Sequence, residues 1–255
     1  MKSSQHYFLA LIILMFGSSL TAQTTNLGAN SGTLGTNNTN VGAYAGNSTI
    51  AGGNSNAFFG YSAGRFNTTG DYNSFFGFQA GYSNTTVIMN TFVGMYSGRT
   101  NTTGNRNSFL GAYSGYRNTT GIYNVFLGFY SGFNNTTGRY NTFTGYQSGY
   151  GNSTGRNNTF NGYYAGRSNT TGNNNAFYGY YSGYRNTTGY DNSFYGLYSG
   201  YNTNTGYRNT FQGRSAGYRN TTGLSNTYIG YYAGYNNVTG SSNVFIGNQA
   251  GYSET

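Results

Sequence analysis

Residues 107–123 read NSFLGAYSGYRNTTGIY. An asparagine opens the stretch, a phenylalanine stands two places on, and glycines fall at 111, 115 and 121. The same order recurs on both sides at a spacing of 17 residues. Its opening asparagines are Asn56, Asn73, Asn90, Asn107, Asn124, Asn141, Asn158, Asn175, Asn192, Asn209, Asn226 and Asn243. Two places after each comes an aromatic: Phe58, Phe75, Phe92, Phe109, Phe126, Phe143, Phe160, Phe177, Phe194, Phe211, Tyr228 and Phe245. Two irregular units precede them within residues 23–55, one of 18 residues starting near Asn38 and one of 14 starting near Thr24. Residues 56–255 hold twelve units, the last incomplete.

A fixed period in this range is the mark of a repeat architecture. Three regular glycines per unit and dense Asn and Thr exclude helix; short β-prone triplets between glycines suit brief strands and tight turns. The expected fold is all-β, a β-solenoid (β-helix or β-roll) of about 14 coils. Stacking equivalent residues about 4.8 Å apart would turn the twelve aromatics into one internal stack, faced by a row of small residues such as Ala63, Ala80, Ser97 and Ser114. The repeated asparagines and the threonines equivalent to Thr69 should form hydrogen-bonded ladders. All three glycines of the unit are expected to supply the positive φ of sharp corners.

Residues 1–22 read as a secretory signal peptide: Lys2, an apolar run from Phe8 to Phe16, then small residues to Ala22. Cleavage falls after Ala22 or nearer Ser18 or Ser19. The apolar run is too short to span a bilayer, so the expected location is extracellular or at the cell surface, with no membrane span. Without the leader, eleven arginines face Asp71, Asp191 and Glu254, a net charge of 11 − 3 = +8. With no cysteine, and neither lysine nor histidine after the leader, general acids, bases and nucleophiles are nearly absent. The expectation is no enzyme, no catalytic residue, no metal site and no cofactor.

The surface offers several readings. Phe59, Phe76, Leu110, Leu127, Ile229 and Ile246 sit beside the first corner glycine and form a candidate assembly face. A second row lies across that glycine, including Tyr61, Phe78, Met95, Tyr163 and Tyr180; either both rows face outward or one completes the core. The Asn-x-Ser/Thr tripeptide makes Asn67, Asn84, Asn101, Asn118, Asn135, Asn152, Asn169, Asn186, Asn220 and Asn237 candidate glycan acceptors, although Asn/Thr corners produce it by default. Tyrosine rows can stack on sugars, and ten of the eleven arginines flank the Asn-Thr-Thr corner. Such an edge suits acidic polysaccharide or other cell surfaces; no known binding motif points to nucleic acid.

Runs such as NSFLGAYSGYRNTTGIYNVFLGFYSG resemble the Gly/Asn/Thr-rich repeats of bacterial tail-fibre-like surface proteins and, more distantly, the β-roll heads of trimeric autotransporter adhesins. The similarity covers residues 24–255 and implies a secreted, fibrous, trimeric attachment protein. From the residues themselves, the final unit from Asn243 stops partway without a capping segment, and an open solenoid end is a template for another chain. The leading expectation is therefore a secreted structural subunit that self-associates into an extracellular filament, end to end or side by side. An adhesin binding carbohydrate through Tyr/Arg-rich faces is the alternative. An ice-binding protein ranks below both, because paired threonines are adjacent and cannot both face one side of a strand.

Overall fold

The computed structural model describes residues 24–33, 35–49 and 53–254. The signal peptide, with its cleavage site, lies outside the described residues. The chain forms fourteen three-residue strands, from β1 (Thr25–Leu27) and β2 (Thr39–Val41) through β3 (Ala57–Phe59) to β14 (Val244–Ile246). They make one parallel sheet in chain order, so the chain is a β-solenoid. Coil follows coil in strict register: Phe109 pairs with Phe92 behind it and Phe126 ahead.

Three residues suffice for a strand because only its middle side chain points inward. The twelve aromatics occupy that middle position and form one column, with ring centres 4.7–5.1 Å apart and planes within 17° of parallel. That separation is the strand spacing itself. Phe58 to Tyr228 are fully or almost fully buried, and Phe245 in the last coil is partly so. Ala63, Ala80 and their equivalents pack against the rings. Where serine replaces alanine its hydroxyl donates to the next coil's core carbonyl, as Ser114 Oγ does to Phe126 O at 3.1 Å. A buried hydroxyl is thus admitted because it has a partner. In the irregular coils the same column continues as Asn40, fully buried, whose Nδ2 donates to Asn26 Oδ1 at 3.0 Å. Lengths of 14 and 18 residues hid that register from the 17-residue period.

The asparagines that open each unit form the expected ladder. The backbone N–H of Asn124 donates to Asn107 Oδ1 at 2.9 Å, while Asn124 Nδ2 donates to Gly138 O at 2.8 Å. Each such side chain therefore ties its own coil closed and accepts from the next. Coils are further closed by short backbone turns, such as Asn118 N–H to Gly115 O at 3.0 Å.

The glycines differ from expectation. Gly111 (φ +135°) and Gly115 (φ +58°) do take positive φ, but Gly121, after the paired threonines, does not. It is required by close approach: a Cβ there would clash with Asn118 Oδ1 and Gly138 O. The remaining left-handed positions are filled by non-glycine residues, two per coil, such as Tyr113 (φ 57°) and Tyr123 (φ 56°). Their N–H groups donate to the preceding coil, Tyr113 to Met95 O at 2.9 Å and Tyr123 to Asn105 O at 3.2 Å. Hydrogen bonds between coils hold a conformation that costs an L-residue about 1–2 kcal/mol.

Candidate functional site

With the core one residue wide, every other side chain of a strand faces outward. The outer face of the sheet is built from the first and third residue of each strand, and none of these is charged in any of the fourteen strands. The proposed assembly residues Phe59, Phe76, Leu110 and Leu127 fall in one column with Val93, and Ile229 and Ile246 continue the column towards the last strand. Phe59 stacks on Phe76 at 4.8 Å and Tyr178 on Tyr195 at 4.9 Å. Leu110 is 51% exposed and Ile246 66%. A shallow groove of about 190 Å³ runs among Thr91, Ser108, Leu110, Val125 and Leu127. The second apolar row also points out: Tyr61, Phe78, Met95, Tyr163 and Tyr180 are all exposed. Neither row turns inward, because the coil has room for one ring.

Around the corner from the sheet lies a second aromatic surface, formed by the left-handed tyrosines and the residues three places on. Tyr184, Tyr201, Tyr218, Tyr235 and Tyr252 stack in one file at 5.0–5.3 Å with planes within 13°. Alongside them run Tyr181 and Tyr198, tilted against that file. In the stacked file each ring covers the faces of its neighbours, leaving edges and hydroxyls for solvent. Burial, and then the neighbouring phenols beginning with Tyr180, push Tyr181 up to about 12. Tyr113 and Tyr218 are raised for the same first reason. Tyr164 is raised first by its hydrogen bond with Tyr163, and Tyr231 by that with Tyr232.

Three arginines belong to this surface and are not scattered charge. Arg99 occupies a place in the stacked file, its guanidinium 5.0 Å from the Tyr82 ring centre and 5.9 Å from that of Tyr116, with Nε donating to Gln79 Oε1 at 2.8 Å. Arg167 repeats the arrangement with Tyr150, Tyr184 and Gln147. Arg65 lies 4.9 Å from the Tyr44 ring centre. A planar cation can replace a ring in such a stack. Spacing alone did not reveal this role; the signal was a glutamine twenty residues before two of these arginines. Among the described residues one ion pair is found, Arg208 to Asp191 at 4.0 Å.

The Asn-Thr-Thr corner holds a second asparagine ladder that the tripeptide reading obscured. Asn67, Asn84, Asn101, Asn118, Asn135, Asn152, Asn169, Asn186 and Asn220 are 0% exposed and Asn237 is 2% exposed. From Asn101 to Asn169 each donates Nδ2 to the Oδ1 of the asparagine one coil before it, at 2.6–2.8 Å. These side chains lie inside the folded coil, where no glycan can be accommodated. Of the two threonines, the first donates Oγ1 to the next coil's carbonyl, as Thr102 does to Thr119 O at 3.1 Å. The second, from Thr69 to Thr239, forms a single exposed file.

Among the described residues no three His, Cys, Asp or Glu side chains gather to hold a metal ion, and no helix is long and apolar enough to cross a membrane. No protein-family model matches the chain, and neither curated proteins nor solved structures yield a match.

Proposed function

We propose that the chain is a secreted structural protein, a subunit of an extracellular filament or fibre in which β-solenoids associate with further copies of themselves. The observation that carries this reading is the sheet's outer face: fourteen strands long, uncharged throughout, and lined by a column that is apolar or aromatic except at Thr144, Asn161 and Gln212. At the usual strand dimensions it measures about 65 Å by 10 Å, roughly 650 Å² per copy. Two copies would bury about 1,300 Å² in total, within the range of specific interfaces. Two chains of net charge +8 repel one another on most surfaces, but this face keeps every arginine out of the contact.

The test is a paired substitution in the middle of the column, Leu110→Lys with Leu127→Lys. Both side chains point to solvent, so the isolated coil tolerates the change. Light scattering across a concentration series should show association of the parent chain and at least tenfold weaker association of the variant. Equal association by both would remove the sheet face from the account.

The second reading is an adhesin that binds carbohydrate or another polyanionic surface. It draws on Arg117, Arg185 and Arg219, which are exposed and share one register along the corner. Stacking of sugars on the tyrosine file is opposed by the mutual covering of the ring faces. Retention on an acidic polysaccharide column, lost on replacing these three arginines by glutamine, would favour adhesion.

A further inference from the structure

The tyrosine surface also bears on covalent chemistry. The chain has no cysteine and no tryptophan, and four methionines against 30 tyrosines. No disulfide can therefore staple the coils, and a one-electron oxidant meets phenols before almost anything else. Stacked pairs such as Tyr178–Tyr195 are parallel, which keeps their edges apart. Around Tyr181 the geometry differs. Its ring centre is 4.9 Å from Tyr184 at 46°, 5.6 Å from Tyr198 at 37° and 6.0 Å from Tyr201 at 38°. Tyr184 and Tyr201 lie 5.2 Å apart. All four side chains are partly open to solvent. Between coils, the tilt of Tyr181 against Tyr198 and Tyr201 turns ring edges rather than full faces towards one another, whereas Tyr184 and Tyr201 are stacked within 9°.

We propose that Tyr181, Tyr184, Tyr198 and Tyr201 form an oxidative cross-linking site that joins adjacent coils through dityrosine. The co-reactants are hydrogen peroxide and a haem peroxidase. The peroxidase takes one hydrogen atom, an electron with its proton, from each of two phenols. The two phenoxyl radicals couple by a new carbon–carbon bond between ortho positions. Each ortho hydrogen then returns as a proton to its own phenolic oxygen, and both rings regain aromaticity. The two electrons and two protons removed convert the peroxide to two molecules of water. Parallel strands held in fixed register keep the pair together while both radicals are formed, so coupling within the chain outruns coupling between chains.

Arginines divide the site conveniently. Tryptic cleavage after Arg167, Arg185 and Arg208 places Tyr181 and Tyr184 in the peptide 168–185, and Tyr198 and Tyr201 in 186–208. The folded chain at high dilution is treated with peroxidase and hydrogen peroxide, digested and mapped by mass spectrometry. The expected product is these two peptides joined with the loss of two hydrogens, accompanied by dityrosine fluorescence. Its yield should be independent of protein concentration and fall at least tenfold in the double variant Tyr181→Phe with Tyr184→Phe. That variant retains both rings, and unchanged circular dichroism and melting temperature establish that it folds. The stacked pair Tyr178–Tyr195 lies in the same two peptides and remains in the variant as an internal control. The proposal is overturned by absence of the joined product, by its persistence in the variant, by yield that rises with concentration, or by equal yield from the urea-unfolded chain.

Discussion

Single residues decide where this repeat can vary. The core column accepts phenylalanine in every regular coil but one, where Tyr228 is 0% exposed and its hydroxyl is buried without a hydrogen bond. Burial pushes its phenol up to about 12; Asn243 lies near enough to pull the other way but not in hydrogen-bonding geometry. Because the folded chain favours the neutral phenol, the unfolded chain ionises first, near the ordinary value of 10. The contribution is complete below pH 10 and is lost as pH rises towards 12. Stability measured by urea unfolding should therefore be level from neutrality to about pH 10 and decline above it. Tyr228→Phe should raise stability at neutral pH by about 1–2 kcal/mol, by removing an unsatisfied buried hydroxyl, and make the alkaline decline shallower. A lower stability at neutral pH would show that the hydroxyl has a partner. Other residues were less legible. A tyrosine such as Tyr113 at φ 57° runs against local preference, since left-handed backbone normally selects glycine or asparagine. The selecting force is the hydrogen bond to the preceding coil, which no reading of one repeat contains.

At the level of ladders and strands, most of the architecture was readable and some of its meaning was not. The 17-residue spacing of Asn56 and Phe58 with their equivalents identified both the core column and the first asparagine ladder, because in a solenoid equal spacing is contact. The second ladder was equally regular, yet Asn-x-Thr is also a glycosylation tripeptide, and letters alone do not separate an amide inside the corner from one outside. The signal available was the near-constancy of the position: asparagine in ten coils and threonine at Thr203. No rung forms on either side of that exception, and rungs are also absent between Asn67 and Asn84 and between Asn169 and Asn186. Thr203 Oγ1, Asn186 Oδ1 and both side-chain polar atoms of Asn220 are buried without partners. Thr203→Asn would let its Nδ2 donate to Asn186 Oδ1 and its Oδ1 accept from Asn220 Nδ2, as between Asn118 and Asn101. Stability should rise by about 1–3 kcal/mol, the usual cost of leaving buried polar groups unmatched. Chemical unfolding measures it directly; a loss of stability would mean that the break in the ladder is relieved by some other contact. The arginine-for-ring exchange at Arg99 and Arg167 was hidden for a related reason: in sequence these are two charges near a turn, and in the file they are two planar groups among rings.

On the scale of the whole molecule, the same register that makes the core also sorts the surface. Column by column, one side becomes an uncharged sheet face, the next a tyrosine surface with arginines inserted into it, and the third a polar Asn-Thr-Thr corner. Similar chemistry along each column gives the rod related contacts at successive levels. Such a surface suits repeated association along its length better than the recognition of one compact ligand, whose site would need different residues converging from different coils. On this reading the rod is a subunit of a larger structure. Negative-stain electron microscopy of the chain from Gln23 onwards, across a concentration series, tests it most directly. The expected result is filaments or laterally paired rods whose axial repeat is near the length of one subunit, roughly 65 Å at the strand spacing. Isolated short rods at every concentration would contradict it.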